Sequence, residues 1–264
     1  MKVSSTERDG DRLGELLGET AALLTPARDT AVLVDGVLSG ATDAFFGVDS
    51  PLGTVYVAAG PDGVRFLAPS SSPEEFARSY RERFGRFVSP AAADRIEDLA
   101  GRVGAALAGE RVEVPLDLTR VTPFQRRVLQ TVRGIPRGEV RPYVWVAREA
   151  GSPGASRAVG NVMANNPIPL IVPCHRVVRN DGHTGSYAFG AGEKVRLLRL
   201  EGVSPEEIAG APYVGTPTTG IVCHATCRNA RRITPENRCS FRSVGSAVEA
   251  GYRPCKVCRP IAAA

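Results

Sequence analysis

Cys174 and His175 are neighbours in the chain, within the stretch Ile-Val-Pro-Cys-His-Arg-Val-Val at residues 171–178. A cysteine reacts as the thiolate, and His175, Arg176 and a nearby carboxylate favour that form while apolar neighbours restrict water. The alternative is a small cysteine buried in a strand without chemistry, because free cysteine is often buried. The pattern predicts a nucleophilic thiol on a strand, and the flanking residues must support it.

The other cysteines concentrate near the C-terminus. Five of the six lie in the last 42 residues, and four of them form two close pairs, Cys223-x3-Cys227 and Cys255-x2-Cys258, separated by 27 residues. Four thiolates in two such pairs suit tetrahedral Zn²⁺, and a unit of about 40 residues with little apolar content depends on such a metal to fold. Disulfides are the alternative, but they conflict with a reducing compartment. We predict a zinc site formed by Cys223, Cys227, Cys255 and Cys258.

Two further residues lie close to these pairs. His224 is a less favoured substitute for one ligand, and Cys239 is left over as a structural cysteine.

Composition and charge limit the possible function classes. The 264 residues are 43% apolar and 23% charged, which is typical of a globular protein of one or two domains. No apolar run approaches the roughly 20 residues that cross a bilayer, and the N-terminus has no signal-peptide core. We expect a cytoplasmic protein that does not bind membranes.

The net charge of +5 is unevenly distributed. Residues 1–120 carry 13 Lys/Arg and 19 Asp/Glu, whereas residues 121–264 carry 20 and 9. A basic second half favours a polyanionic partner such as nucleic acid, although arginines on a solvated face give the same excess.

Sequence periodicity predicts the elements that position Cys174. Residues 54–67 are typical of a β-hairpin with a turn at 61–63, and helices follow at 73–84 and 91–107. Thr122-Pro123 begins a third helix, and two short helices near 143–150 and 155–163, joined by a glycine-containing turn, suggest a helix-turn-helix. A last helix precedes Glu201, and residues 203–219 have the composition of a linker.

A dense series of motifs surrounds Cys174. It comprises Thr-Pro-Phe-Gln at 122–125, Pro-Arg-Gly-Glu-Val at 136–140, Ser-Arg-Ala-Val-Gly at 156–160, Asn-Pro-Ile-Pro at 166–169, Pro-Cys-His-Arg-Val at 173–177 and Gly-Ser-Tyr at 185–187. Together with Tyr143, Lys194 and Glu201, these motifs make residues from about 44 to 202 resemble the O6-alkylguanine-DNA alkyltransferases.

The resemblance implies a role for each residue around the thiol. Cys174 attacks the alkyl carbon, His175 acts as the base through a bound water, and Glu201 orients His175. Tyr187 is similar to the family's proton donor to the departing guanine. Asn166 then holds the active-site turn, and Lys194 supports Tyr187 or its loop. The thioether product cannot be cleaved, so the protein acts once and the transfer needs no diffusible cofactor.

The same resemblance implies double-stranded DNA containing alkylated guanine as the partner. The alkylated base must leave the stack to reach a thiol. Arg157 is similar to the family's arginine finger, which enters the duplex, and Tyr143 to the residue that presses on the target phosphate. Arg176 is a third expected DNA-binding residue.

The C-terminal unit is similar to the metal-binding domain of Ada. The similarity is carried by Thr-Thr-Gly-Ile-Val-Cys at 218–223, Pro-Glu-Asn at 235–237 and Gly-Tyr-Arg-Pro-Cys-Lys-Val-Cys-Arg-Pro at 251–260. The resemblance implies that Cys223 accepts methyl groups from backbone phosphotriesters. Here His224-Ala225 stands where that family usually has Arg-Pro, so Cys223 is either a second methyl acceptor or a zinc ligand only.

We therefore predict an α/β (α+β) fold for a monomer. A small ribonuclease-H-like α/β subdomain precedes a helix-turn-helix alkyltransferase subdomain, and a small zinc-bound domain ends the chain. The predicted boundaries are an N-terminal extension at 1–40, the two subdomains at 41–118 and 119–204, a linker at 205–217 and the zinc domain at 218–262.

The leading hypothesis is direct reversal of DNA alkylation, as a methylated-DNA–protein-cysteine S-methyltransferase that acts once. A non-catalytic sensor of alkylated DNA is an alternative, although such proteins replace the reactive cysteine that is present here. A zinc-dependent regulator is the other alternative.

Overall fold

The computed structural model describes residues 42–91 and 93–261. The predicted N-terminal extension, residues 1–40, lies outside the described residues. Within them, no helix is long and apolar enough to cross a membrane.

The first part of the described chain is a four-stranded sheet. β1 (Thr42–Ser50), β2 (Gly53–Gly60) and β3 (Gly63–Pro69) form an antiparallel meander, and β4 (Phe87–Pro90) pairs in parallel with β1. The hairpin predicted at 54–67 is therefore confirmed. Its turn requires Gly63, which has φ +120° and approaches so closely that an added Cβ would lie 2.4 Å from the Pro115 carbonyl oxygen.

Two helices cover this sheet. α1 (Pro73–Phe84) begins where the Ser72 hydroxyl accepts a hydrogen bond from the Glu75 amide at 3.2 Å, and its aromatic side chains pack against Phe45 and Phe66. α2 (Ala93–Ala108) places Val103 and Leu107 in a core shared with the next part of the chain. The sheet and its helices thus support the second part rather than standing apart from it.

The second part contains the predicted helix-turn-helix. α3 (Pro123–Arg133) starts with a capping box between Thr122 and Gln125, and α4 (Tyr143–Glu149) and α5 (Ser156–Ala164) follow. A short parallel pair, β5 (Arg141–Pro142) and β6 (Val177–Val178), connects the helices to the stretch that carries Cys174. α6 (Ala191–Leu200) ends at Glu201. The order of elements confirms the predicted α/β class.

The third part is a small sheet. Its strands are β7 (Tyr213–Thr216), β8 (Ile221–His224), β9 (Cys239–Phe241) and β10 (Arg253–Pro254), in the order β10-β8-β7-β9, with α8 (Val244–Glu249) before β10. The linker predicted at 205–217 is not observed. This segment instead forms α7 (Pro205–Ile208) and β7, because Ile208, Tyr213 and Val214 are buried and β7 pairs with both β8 and β9.

The second and third parts pack directly against each other. One apolar cluster combines Val140, Val178, Leu198 and Val203 of the second part with Ile208, Val214 and Ala225 of the third. The indole N–H of Trp145 in α4 also donates to the Cys258 carbonyl at 3.0 Å. The four-cysteine unit is therefore attached to the helix-turn-helix by buried contacts as well as by the chain.

Candidate active site and metal centre

Cys174 lies in a 3-10 turn, Cys174–Arg176, rather than on the predicted strand. Pro173 precedes it, Leu170 adopts a left-handed conformation at φ 70°, and the Cys174 amide donates to the Val172 carbonyl at 2.8 Å. A backbone bent in this way cannot pair as a strand, and regular pairing resumes only at Val177. The thiol is thus held on a bend next to a cavity.

Asn166 fixes this bend and contacts the sulfur. Its amide nitrogen donates to the Val172 carbonyl at 2.8 Å and to Cys174 Sγ at 3.3 Å, and its oxygen accepts from the Ile168 amide at 3.0 Å. Burial raises the pKa of the Cys174 thiol, while the Asn166 hydrogen bond and the charge of Lys194 partly oppose the rise. Asn166 therefore stabilises the thiolate more than the thiol.

His175 and Glu201 are directly bonded. The distance from His175 Nε2 to Glu201 Oε1 is 2.9 Å, and Arg176 donates to the same carboxylate from Nη2 at 2.7 Å and from Nε at 2.9 Å. Although burial opposes ionisation, the bonds from His175 and Arg176 lower the pKa of Glu201 to about 2. Burial lowers the pKa of His175, and Glu201 opposes that change. A neutral His175 then carries its proton on Nε2, which leaves Nδ1 as the basic nitrogen.

A cavity of about 430 Å³ opens beside the sulfur. Its lining includes Cys174, Tyr143 at the start of α4, Met163 on α5, and Tyr187 in the loop before α6. The Tyr187 hydroxyl is buried without a hydrogen-bond partner among the described residues, and burial, followed by the effect of Cys174, raises its pKa. A hydroxyl that stays protonated and unpaired inside a cavity is suited to donate a hydrogen bond to an occupant.

Lys194 is fully buried behind this cavity. Its Nζ donates to the Val177 carbonyl at 2.6 Å and lies 3.5 Å from the Ser186 carbonyl oxygen, so it connects β6 to the loop that carries Tyr187. Burial lowers the pKa of Lys194 to about 8, and Cys174 opposes that effect.

The three residues predicted to bind DNA lie in different surroundings. Arg157 is exposed on the first turn of α5, and Tyr143 lines the cavity. Arg176 is only 14% exposed because its guanidinium binds Glu201 and the Ile135 carbonyl. The structure therefore places Arg176 in the carboxylate network, and its contact with DNA stays a prediction.

The four cysteines predicted to bind zinc lie close together in the structure. The sulfur atoms of Cys223, Cys227, Cys255 and Cys258 all lie within 4.8 Å of one another and are buried. The His224 amide donates to Cys258 Sγ at 3.4 Å, and the Asn229 side-chain amide lies 3.6 Å from Cys255 Sγ. Tetrahedral bonds of about 2.3 Å require sulfurs this close, and N–H donors suit charged thiolates, so the site fits Zn²⁺.

The His224 ring and Cys239, the two other residues considered near the cysteine pairs, lie outside this cluster. The His224 ring packs against Tyr213, with ring centroids 5.3 Å apart, and Cys239 is on β9. Cys223 differs from the other three ligands in the cluster because it also lines a cavity of about 420 Å³ with Thr218, Thr219 and Arg232.

Two family models match consecutive parts of the chain. The model described as 6-O-methylguanine DNA methyltransferase, DNA binding domain, matches residues 123–203, and the metal binding domain of Ada matches residues 205–260. A methylated-DNA–protein-cysteine methyltransferase of Mycolicibacterium paratuberculosis is 39% identical over 160 residues, which cover 58% of this chain and 89% of that protein. The chain belongs to the methylated-DNA–protein-cysteine methyltransferase family. The predicted resemblance is confirmed, and the C-terminal unit is an Ada-type zinc-binding domain.

Other family members match over different lengths. The Methanothermobacter thermautotrophicus methyltransferase is 48% identical over 91 residues, covering 34% of this chain and about half (51%) of that protein. The crystal structure of Mycobacterium tuberculosis O6-methylguanine methyltransferase has a TM-score of 0.46 and 35% identity, covering 61% of this chain and 92% of that chain.

The interface between the alkyltransferase part and the zinc domain was not predicted from the sequence. Among the hydrogen bonds that cross it, the Val140 amide donates to the Thr226 hydroxyl and the Trp145 indole donates to the Cys258 carbonyl. Arg231 donates to the Gly138 carbonyl. The motif at 136–140 marked one side of it, but no spacing or composition connects residues more than 80 positions apart.

We expect the Cys174 thiol to titrate above the roughly 8.5 of an unperturbed cysteine. Alkylation by iodoacetamide, followed at Cys174 by peptide mapping across a pH series, measures the midpoint. Asn166→Ala should move that midpoint further upward and slow labelling several-fold at neutral pH, because the thiolate loses its donor. Asn165→Ala is the matched control, since the exposed Asn165 side chain bonds only Asn161 among the described residues. Equal midpoints for the two variants would contradict the assignment.

Proposed function

We propose that this protein repairs double-stranded DNA by direct reversal, moving the alkyl group from O6 of guanine to Cys174. The observation that carries the proposal is a buried thiol that faces a cavity, with Asn166 donating to its sulfur and a neutral histidine next to it in the chain. Family membership supports the substrate class. We also propose the cytoplasm as its location, and residues 42–204 and 205–261 as its alkyltransferase and zinc-binding parts.

Each group around the thiol has a role in the proposed transfer. His175 accepts the thiol proton at Nδ1 through a bound water, and Glu201 holds its Nε2–H, so that the imidazolium formed is stabilised by an ionised carboxylate. The sulfur then forms a bond to the alkyl carbon while the bond from that carbon to O6 breaks. Tyr187 donates a hydrogen bond to the departing guanine, which finally takes up the proton lost by the thiol. The product is an alkylated Cys174 and an unmodified base.

The DNA-binding roles are part of the same proposal. The target base must rotate out of the duplex to reach a buried sulfur. Arg157 is exposed on the second helix of the helix-turn-helix and fills the vacated space, while Tyr143 contacts the target nucleotide from the cavity wall. Lys194 fixes the Tyr187 loop, and Arg176 orients Glu201.

Intact mass after incubation with a duplex containing O6-methylguanine tests the main function. We expect the mass of one methyl group to be gained, mapped to Cys174. Cys174→Ala should bind the damaged duplex and gain no mass, whereas Cys239→Ala should transfer as the wild type does. Tight binding by the wild-type protein with no gain in mass would favour the lesion-sensor alternative. Methyl removal by Cys174→Ala would show that another residue is the nucleophile.

We propose that Cys223, Cys227, Cys255 and Cys258 hold the zinc ion. Cys258→Ser should lower the zinc content well below about one ion per chain, because three thiolates and a hydroxyl bind zinc more weakly than four thiolates. Cys239→Ser should keep the full zinc content, which elemental analysis of the purified variants measures. Full zinc content in Cys258→Ser would contradict the ligand set.

A second function is favoured by the cavity at Cys223, which brings a cluster thiolate beside Arg232 and four threonines. Zinc keeps a bound thiolate deprotonated and nucleophilic. We propose that this sulfur takes a methyl group from a backbone methylphosphotriester. A bond forms between the sulfur and the methyl carbon, the bond between that carbon and the phosphate oxygen breaks, and the negative charge passes to the phosphodiester.

A duplex carrying a methylphosphotriester and no O6-methylguanine tests this second function. In the Cys174→Ala background, we expect one methyl group on the peptide that contains Cys223. An unmodified Cys223 peptide after prolonged incubation would show that the zinc domain does not accept methyl groups.

A further inference from the structure

The loop at residues 138–140 contacts both the Glu201 carboxylate and the zinc domain. The Gly138 amide donates to Glu201 Oε2 at 3.1 Å. The other donors to this carboxylate are His175 and Arg176. Gly138 is thus the one donor to Glu201 that lies outside the Cys174–Arg176 turn, among the described residues.

The loop lies so close to Glu201 and Arg231 that position 138 has no space for a side chain. Gly138 has φ +72°, and a Cβ there would lie 2.8 Å from the Glu201 carbonyl oxygen and 3.1 Å from the Arg231 guanidinium. A small displacement of the loop in either direction would therefore be transmitted to Glu201.

The zinc domain binds three consecutive residues of the loop. Arg231 Nη2 donates to the Gly138 carbonyl at 2.7 Å, and the Arg228 amide donates to Glu139 Oε1 at 3.0 Å. The Val140 amide donates to the Thr226 hydroxyl at 2.9 Å. Two of these contacts are to the loop's backbone, so they constrain its conformation directly.

Arg231 is itself fixed by the zinc-binding turn. Its Nε donates to the Thr226 carbonyl at 3.1 Å, and its amide donates to the Cys227 carbonyl at 3.1 Å. The side chain therefore bridges a carbonyl of the zinc domain and a carbonyl of the alkyltransferase part. A planar guanidinium with several fixed N–H groups is suited to such a bridge.

We propose that Arg231 is a positioning residue for alkyl transfer at Cys174. It fixes the conformation of Gly138, whose amide fixes Glu201, and Glu201 orients His175. The zinc domain thereby contributes to the geometry of a site that contains none of its residues. This inference rests on the proposed alkyl transfer to Cys174.

The expected effect is a partial loss of rate. Arg176 still holds Glu201 when Arg231 is removed, so the carboxylate is loosened and not released. A displaced orienting group costs up to about a hundredfold in rate, and we expect about tenfold here. DNA affinity should not change, because Arg231 acts through Gly138 and not through the duplex.

Single-turnover transfer from an O6-methylguanine duplex, measured over a range of DNA concentrations, separates these quantities. Arg231→Ala should lower the maximal rate about tenfold with an unchanged half-saturating DNA concentration. Arg231→Lys should recover part of the rate, because its ammonium can still donate to the Gly138 carbonyl. The matched control is Arg242→Ala, which removes an exposed arginine of the same domain and should keep the wild-type maximal rate. Zinc content is measured for every variant.

Three results would overturn the inference. The first is a maximal rate for Arg231→Ala equal to that of Arg242→Ala while the wild type transfers. The second is a rate defect that disappears at saturating DNA, which would make Arg231 a DNA contact. The third is a wild-type protein that transfers nothing, which would also overturn the proposed function. If Arg231→Ala loses zinc, it is replaced in these comparisons by Arg231→Lys, provided that Arg231→Lys keeps its full zinc content.

Discussion

The partly buried, ionised carboxylate of Glu201 is the constraint on which the arrangement of the site depends. It caps the C-terminal end of α6, where the helix dipole disfavours negative charge, so its ionisation has to be stabilised from elsewhere. Arg176, His175 and the Gly138 amide supply that stabilisation, and they come from the turn after Pro173 and from the loop before β5. A single carboxylate thereby joins three separate segments of the chain. The removal of any one donor leaves this partly buried charge with fewer partners, which is costly.

The thiol lies in an environment that opposes its ionisation. Burial raises the pKa of Cys174, while Asn166 and Lys194 favour the thiolate. Burial also lowers the pKa of Lys194 to about 8, and Cys174 opposes that effect. The resting state that follows is a thiol beside a neutral imidazole. In the proposed transfer, such a nucleophile is activated by proton transfer to a neighbouring base.

The zinc domain is a packed part of the molecule. It shares an apolar cluster with β6 and α6, receives the indole hydrogen bond of Trp145, and binds the backbone of residues 138–140. A metal bound by its four cysteines would stabilise the fold of this domain and, with it, the contacts with the alkyltransferase part. A domain joined by a flexible linker would have no such effect on its neighbour.

The sequence by itself determined the chemistry and most of the local structure. Thr122-Pro123 marked a helix start, the alternation at 54–67 marked a hairpin, and two close cysteine pairs marked a zinc site. Caps, strands and metal ligands are set by near neighbours in the chain. The motifs around Cys174 identified the family for the same reason. The tertiary structure decided what depends on distant contacts. It placed Cys174 on a 3-10 turn, turned Arg176 inward onto Glu201, and made residues 213–216 a strand instead of a linker. It also joined Arg231 to Gly138, 93 positions earlier in the chain. Such pairings follow from which surfaces are buried together, and no local pattern in the sequence contains that information.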